Sequence, residues 1–426
     1  MGAFLAGLTL FLLAGVPIAM ALGLASFAYL IITDNLSLMA IFPQRMLGSV
    51  NQFVLLTIPL FLLAGNLMNH GGITQRILAF ANAFVGHRKG GLSLVNVIAS
   101  MFFGGVSGAA AADTSALGTI LIPGMTKSGY PAEYAAGLTA VSSVVGSLIP
   151  PSIIMVIYGV LTGTSIAQLF IAGIVPGLMV GFSLLGYAVW VARRRDYPVF
   201  ERLSTKQRVR AFWQALPVLF LPFIIIGGIL FGVFTPTESA AVAVVYAIFL
   251  GAILYRTLTL QNFFNSLVST AVMTAGIMFI VSMASVVQFI LSFERIPAEV
   301  TTFVLGLTSD PTLLTLLICA LLLVLGMFLE PIAAMIISLP VLFEVGVVID
   351  LDPIHFGMIV VLNLAIGLAT PPVGICLFIA CAIANISLEA ISKAILPMLG
   401  VVLVVLMLVT FIPQLSLFLP SLMLPR

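Results

Sequence analysis

The sequence predicts an all-α polytopic membrane protein built from two inverted repeats. Each repeat holds a re-entrant helical hairpin and a helix unwound at mid-membrane. Three observations carry that expectation. Of 426 residues, 62% are hydrophobic and only 7% charged, against roughly 25% charged in a soluble domain. So few charges cannot coat a water-facing surface, and the solvent must be mostly lipid. The apolar residues also come in runs near the ~20 residues that a membrane helix needs, and two segments with one proline pattern recur 217 to 222 residues apart. A formal net charge of +2 points to no nucleic-acid partner; the lipid bilayer is the expected surrounding.

Spans are expected at residues 2–31, 52–69, 131–163, 166–192, 214–234, 239–256, 266–292, 353–385 and 394–423. The first lacks a basic start and a small-residue cleavage site, so it reads as a true span and not a signal peptide. Residues 92–125 and 311–343 are apolar but interrupted by small and polar residues, the pattern of a re-entrant hairpin. Such backbone is tolerated at depth only where protein or a wet cavity covers it. Residues 70–86 place Ile73, Ile77, Phe80 and Phe84 on one helical face, which suits either an arm along the membrane surface or a tilted end of the preceding span.

Charge assigns the sides. The loop at residues 193–210 holds Arg193, Arg194, Arg195, Arg202, Lys206, Arg208 and Arg210, a cytoplasmic mark. Trp190 and Trp213 bracket it as interfacial anchors. The first hairpin is flanked by Arg88, Lys89 and Lys127, the second by Asp310, Glu344, Asp350 and Asp352, so the two should enter from opposite faces. Counting spans from the basic loop puts the N-terminus in the cytoplasm and the C-terminus in the periplasm.

The repeat is read from its prolines. Gly-Tyr-Pro at 129–131 matches Leu-Asp-Pro at 351–353, Gly-Ser-Leu-Ile-Pro-Pro-Ser at 146–152 matches Gly-Leu-Ala-Thr-Pro-Pro-Val at 367–373, and Pro176 matches Pro397. Ile-Pro at 122–123 matches Leu-Pro at 339–340, and ten residues before those prolines stand Asp113 and Glu330. Inverted repeats with broken helices are the architecture of secondary transporters, whose substrate and ion sites lie between the repeats.

The chemistry follows from the prolines. Each removes a backbone donor and clashes with the preceding turn, so two in succession unwind a helix. The carbonyls of Gly146, Ser147, Leu148 and Ile149, and of Gly367, Leu368, Ala369 and Thr370, are expected to lose their intrahelical partners. Hard cations prefer such oxygens, and Na⁺ is the expected coupling ion. Ser107 can add an oxygen at the first tip and Gly326 a carbonyl at the second. Asp113 and Glu330 each precede a new helix, so each is either an N-cap or a site acid, since an ionisable group at depth is functional by default. Neither tip carries Lys or Arg, leaving bound ions and half-helix dipoles to attract an anionic substrate. Glu238 reads as a helix cap with Thr237; His70, His87 and His355 read as solvated span ends; Cys319, Cys376 and Cys381 read as packing residues. No metal site other than one for Na⁺, and no organic cofactor, is expected.

Three other classes compete with this reading: the permease of an ATP-driven importer, an intramembrane enzyme, and a stand-alone Na⁺/dicarboxylate symporter. The chain has no P-loop and its basic loop is short for an ATPase-coupling surface. No Ser/His, paired-Asp or His-Glu-x-x-His arrangement falls within one span, so no enzymatic activity is expected.

With the tip Gly-Gly-Val-Ser-Gly-Ala-Ala-Ala-Ala-Asp-Thr-Ser, the phrases Ile-Pro-Pro-Ser and Phe-Thr-Pro-Thr-Glu-Ser-Ala-Ala, and the run Ala-Thr-Pro-Pro-Val-Gly, the chain resembles the large membrane (M) subunit of tripartite ATP-independent periplasmic (TRAP) transporters. The resemblance covers essentially the whole chain. It implies Na⁺-driven uptake of a small carboxylate-bearing solute, such as a C4-dicarboxylate or sialic acid, across the bacterial inner membrane. It implies an elevator-type fold with scaffold and transport domains, a small four-helix membrane (Q) subunit and a periplasmic substrate-binding (P) protein. The chain opens directly on the large-subunit sequence, so the small subunit is expected as a separate polypeptide. Carried onto this sequence, the family pattern implies one Na⁺ site at Ser107, Asp113, Gly146, Ser147, Ile149 and Pro150, and a second at Gly326, Gly367, Thr370 and Val373. Ser107, Ala110, Glu330 and Thr370 would lie near the substrate. The implied division is scaffold helices and arm in 1–91, a first transport repeat in 92–192, the basic loop in 193–210, further scaffold in 211–310 and a second transport repeat in 311–426.

Overall fold

The computed structural model describes residues 2–195, 197–308 and 310–424. In chain order the α-helices are α1 (Gly2–Leu13), α2 (Ile18–Ile32), α3 (Phe42–Val50), α4 (Thr57–His70), α5 (Ile73–Val85), α6 (Gly91–Ser107), α7 (Ala110–Lys127), α8 (Ala132–Ser142), α9 (Ile153–Thr162) and α10 (Ile166–Arg194). They continue with α11 (Thr205–Leu219), α12 (Leu221–Leu230), α13 (Pro236–Ile248), α14 (Leu260–Phe293), α15 (Ile296–Leu307), α16 (Pro311–Phe328), α17 (Pro331–Val348), α18 (Pro353–Gly367), α19 (Ile375–Ala384), α20 (Leu388–Phe411) and α21 (Gln414–Met423). The fold is all-α, and among the described residues eight helical stretches are long and apolar enough to cross a membrane.

Prolines and glycines correct the expected spans at both ends. Residues 2–31 are not one helix. Gly15 takes φ +78°, Pro17 removes a donor, and α2 folds back so that Gly7 lies against Ala25. Residues 394–423 likewise split at Pro413 into α20 and α21. The amphipathic stretch after residue 70 is a separate helix, α5, set off by Gly72 at φ +70°; Ile73 and Ile77 are buried and Phe84 is exposed. The short helices α3 and α15 have no counterpart in the expected spans.

α10 measures the molecule. Its 29 residues extend about 43 Å at 1.5 Å each. At its Arg194 end, Gly90 at the base of the first hairpin (α6–α7) lies against Ala192. At its Ile166 end stand Tyr158, whose hydroxyl donates to the Pro353 carbonyl at 2.7 Å, and Gly357, which abuts Tyr158 and Leu169. The base of the second hairpin (α16–α17) is held at that end too, Gly346 resting on Phe356. The hairpins therefore start from opposite ends of α10, and the repeat is inverted. The repeats also interlock: Gly118 of α7 packs on Ile383 of α19.

One apolar core runs through both repeats, and a smaller one joins α1 and α2 to α14. Within the first repeat, α6 is stitched to α8 by side-chain hydrogen bonds. Asn96 donates to Thr139 at 2.7 Å, Ser100 pairs with Ser142 at 2.9 Å, and Tyr134 donates to Ser93 at 3.2 Å. Where no water competes, each such bond contributes about 0.6–2 kcal/mol.

Candidate ion and substrate site

The first hairpin turns at Gly108, in the left-handed region at φ +67°. A Cβ there would lie 2.5 Å from the Pro151 carbonyl oxygen, so only glycine lets this tip press on the unwound segment between α8 and α9. Asp113 stands in the first turn of α7, and its residue is wholly buried. The Ser107 hydroxyl donates to Asp113 Oδ1. Asp113 Oδ2 is buried without a hydrogen-bond partner. It lies over the backbone of Gly146, where any side chain would strike it. The Ser147 hydroxyl is also buried and unpartnered. Gly104 adds to the close fit, since a Cβ on it would sit 2.6 Å from the Gly146 Cα.

Ser107, Asp113, Gly146 and Ser147 are thus brought together. Ile149 and Pro150 belong to the same unwound segment: Ile149 N–H donates to the Val145 carbonyl at 2.9 Å, and Pro150–Pro151 is a cis bond. Ala110 is buried at the start of α7. The expected orphan carbonyls are fewer than the proline pattern suggests, because Ser147 O accepts from the Ser152 hydroxyl at 2.6 Å. That serine also caps α9.

The second unit repeats the geometry with different chemistry. A Cβ on Gly367 would lie 2.6 Å from the Gly326 Cα, so hairpin and broken helix again meet glycine to glycine. Gly374 N–H donates to the Met327 carbonyl at 3.3 Å, tying the unwound segment to the hairpin tip. Here too expected orphans find partners: Gly367 O accepts from Thr370 N–H and Leu368 O from Cys376 N–H, each at 3.0 Å. The Thr370 hydroxyl donates to Ile366 O at 2.7 Å. Pro371–Pro372 is cis, and Val373 follows it, half-buried.

The two acids part company. Glu330 is the N-cap of α17, its Oε2 accepting from Ile332 N–H at 2.9 Å and Ala333 N–H at 3.3 Å. Asp113 caps nothing; the N-cap of α7 is Ala109. Aligning the glycine contacts, Gly104 with Gly326 and Gly146 with Gly367, pairs Asp113 with Met335 or Ala334 and not with Glu330. The matched spacing to the prolines is therefore not a structural register.

Two further readings need correction. The cap of α13 is Thr235, which forms a capping box with Glu238, while Thr237 bonds Thr57 at 2.8 Å. His355 is not at a solvated end; it is buried and its Nε2 meets the Thr410 carbonyl at 3.2 Å. The sequence expectations lack the buried ladder Ser93, Asn96 and Ser100, whose helical spacing of three to four residues is visible in the sequence.

Among the described residues, no group of three His, Cys, Asp or Glu side chains is placed to hold a metal ion. The oxygens gathered about Gly146 are instead the Asp113 carboxylate and the Ser107 and Ser147 hydroxyls. That all-oxygen set suits a hard cation. A buried carboxylate oxygen without a partner is strongly unfavourable, and a cation between Asp113 Oδ2 and Ser147 would relieve it.

The sequence matches the family described as "Tripartite ATP-independent periplasmic transporter, DctM component" over residues 5–415. The chain belongs to the DctM family of TRAP transporter large permeases. Among its relatives, the sialic acid TRAP transporter large permease protein SiaM of Vibrio cholerae is 40% identical over 97% of this chain and 96% of its own. The C4-dicarboxylate TRAP transporter large permease protein DctM of Pseudomonas aeruginosa is 41% identical over 88% of each chain. The isethionate TRAP transporter permease protein DctMQ of Oleidesulfovibrio alaskensis is 38% identical, and the present chain spans 64% of it. These are transport proteins rather than enzymes. In structure, the DctM-family chain resembles the YdaH transporter of Alcanivorax borkumensis with a TM-score of 0.62 over 88% of each chain at 14% identity, a likeness of fold.

Proposed function

We propose that this large permease carries a small carboxylate- or sulfonate-bearing anion inward across the bacterial inner membrane, driven by Na⁺, with a four-helix membrane subunit and a periplasmic binding protein as partners. The observation that carries the sodium reading is the unpartnered Asp113 oxygen set against the unwound Gly146–Ser147 backbone. The substrate class rests on the names of the relatives, which include sialic acid, C4-dicarboxylate and isethionate transporters. The coupling ions neutralise and organise the two tips, and the anion docks between them near Ser107, Ala110 and Thr370. The two hairpin units and their broken helices then slide as one body past α4, α11–α14 and the N-terminal helices. Each charge moved across the membrane potential supplies about 2.3 kcal/mol per 100 mV. The Arg193–Arg210 end faces the cytoplasm. Leu424, whose carbonyl accepts from Gln168 at the other end of α10, supports a periplasmic side for α21.

The test is uptake into proteoliposomes holding the permease with its small subunit, fed by the binding protein loaded with sialic acid, succinate or isethionate. One of these should accumulate only under an inward Na⁺ gradient and without ATP. Accumulation indifferent to Na⁺ would overturn the coupling, and equal uptake without binding protein would overturn the tripartite arrangement.

A further inference from the structure

Where the basic loop enters α11, two buried side-chain nitrogens are left without hydrogen-bond partners. Arg208 lies one turn into α11, and its guanidinium sits over the Phe84 ring at 5.3 Å. Its Nε is buried with no hydrogen-bond partner, and so is Nδ1 of His87. Burial first, and then Arg202, Arg208 and Arg88, hold the His87 side chain below the ordinary histidine range, which marks how closely these cations gather. Glu201 faces the same hollow as His87, leaving positive charge in excess.

Phe84 is also one wall of a cavity of about 1000 Å³ that extends away from this cluster between α6 and α10 on one side and α11–α12 on the other. Among the described residues, no polar side chain lines it. Phe182, Phe223 and Phe231 on its rim are exposed, so it opens toward the bilayer. A packed membrane helix is usually met by small residues that let backbones approach, whereas this lining is mostly Phe, Leu and Ile. A buried, unpartnered guanidinium nitrogen on Arg208, with Arg202 and Arg88 close by, at one end of a bulky-walled hydrocarbon slot is complementary to an anionic amphiphile.

We infer that the crevice binds an anionic phospholipid from the cytoplasmic leaflet. Its phosphate rests on Arg208 within the Arg88–Arg202–His87 cluster, and an acyl chain fills the slot between the first hairpin unit and α12. Lipid retention is read without transport, so it is independent of sodium coupling.

The test is native mass spectrometry of the full chain taken from bilayers of phosphatidylcholine with phosphatidylglycerol. The wild type should retain phosphatidylglycerol in preference to phosphatidylcholine. Arg208→Gln should reduce that preference about fivefold, the worth of one basic residue at a charged membrane surface. Gly227→Phe should abolish retention of either lipid; Gly227 lines the slot and a Cβ on it meets nothing within 4 Å, so the variant should fold. Phosphatidylglycerol retained equally by all three proteins would overturn the inference. So would equal retention of the two lipids by the wild type, displacement by millimolar inorganic phosphate, or a partner helix crosslinked to Phe223 in its place.

Discussion

At the scale of single residues, two acids that look equivalent in sequence have different work. Glu330 spends an oxygen on two backbone N–H groups, whereas Asp113 keeps one oxygen bare in a wholly buried setting. Asp113→Asn preserves shape and the bond from Ser107 while removing the charge. It should raise the Na⁺ concentration for half-maximal uptake by at least about tenfold, since a bond to a charged group contributes about 1.5–3 kcal/mol. Glu330→Ala should leave that concentration within about twofold and lower stability by about 1 kcal/mol, the ordinary loss on removing a cap, read as Tm in detergent. Equal loss of sodium sensitivity in the two variants would sink the distinction. The sequence could place both acids after a hairpin tip but could not separate them. The two differ by what surrounds the carboxylate: the N–H groups of its own first turn for Glu330, but for Asp113 the Ser107 hydroxyl and the backbone of Gly146, more than thirty residues away.

At the scale of elements, the hairpins and the broken helices were legible because proline and glycine act locally. Two prolines in succession must unwind a helix, and the tips of both hairpins carry the small or helix-starting residues that a reversal needs. The ends of the chain were not legible, since one apolar run hides whether Pro17 or Pro413 kinks a helix or lets it fold back. The count of free carbonyls was also out of reach. Ser152, Thr370 and Cys376 supply the donors that cancel three of them, and a donor's aim is not written in its spacing. Besides their hydrogen bonds, hairpin and broken helix meet glycine to glycine. Gly367→Ala would drive a methyl against the Gly326 backbone, with its Cα only 2.6 Å away, and no flexible side chain is there to yield. An overpacked contact of this kind destabilises by about 1–3 kcal/mol, so the melting temperature should fall. Gly400→Ala, at a helical site with nothing within 4 Å, should leave it unchanged or raise it. A Gly367→Ala protein as stable as Gly400→Ala would show that the contact is looser than described.

At the scale of the whole molecule, inversion was foreseen from flanking charge alone and is visible in the packing of the hairpin bases at opposite ends of α10. Sliding was not readable from the sequence, because no residue pattern says which helices move together. It can be tested where the first hairpin meets α12. A Cβ on Gly105 would lie 3.4 Å from the Pro222 Cβ, close to the ~3.8 Å typical of a disulfide. The native cysteines Cys319, Cys376 and Cys381 are buried and should not compete. If the hairpin unit moves past α12 in each cycle, Gly105→Cys with Pro222→Cys should arrest uptake on oxidation and recover it on reduction. Each single variant should respond to neither treatment. The crosslink joins the tip of α6 to the start of α12 and leaves Asp113 untouched, so Na⁺ should still protect the oxidised protein against heat. Continued turnover with the bond demonstrably closed would mean that α6 and α12 travel together. The moving boundary would then have to lie elsewhere, with α14 against α17 the next candidate.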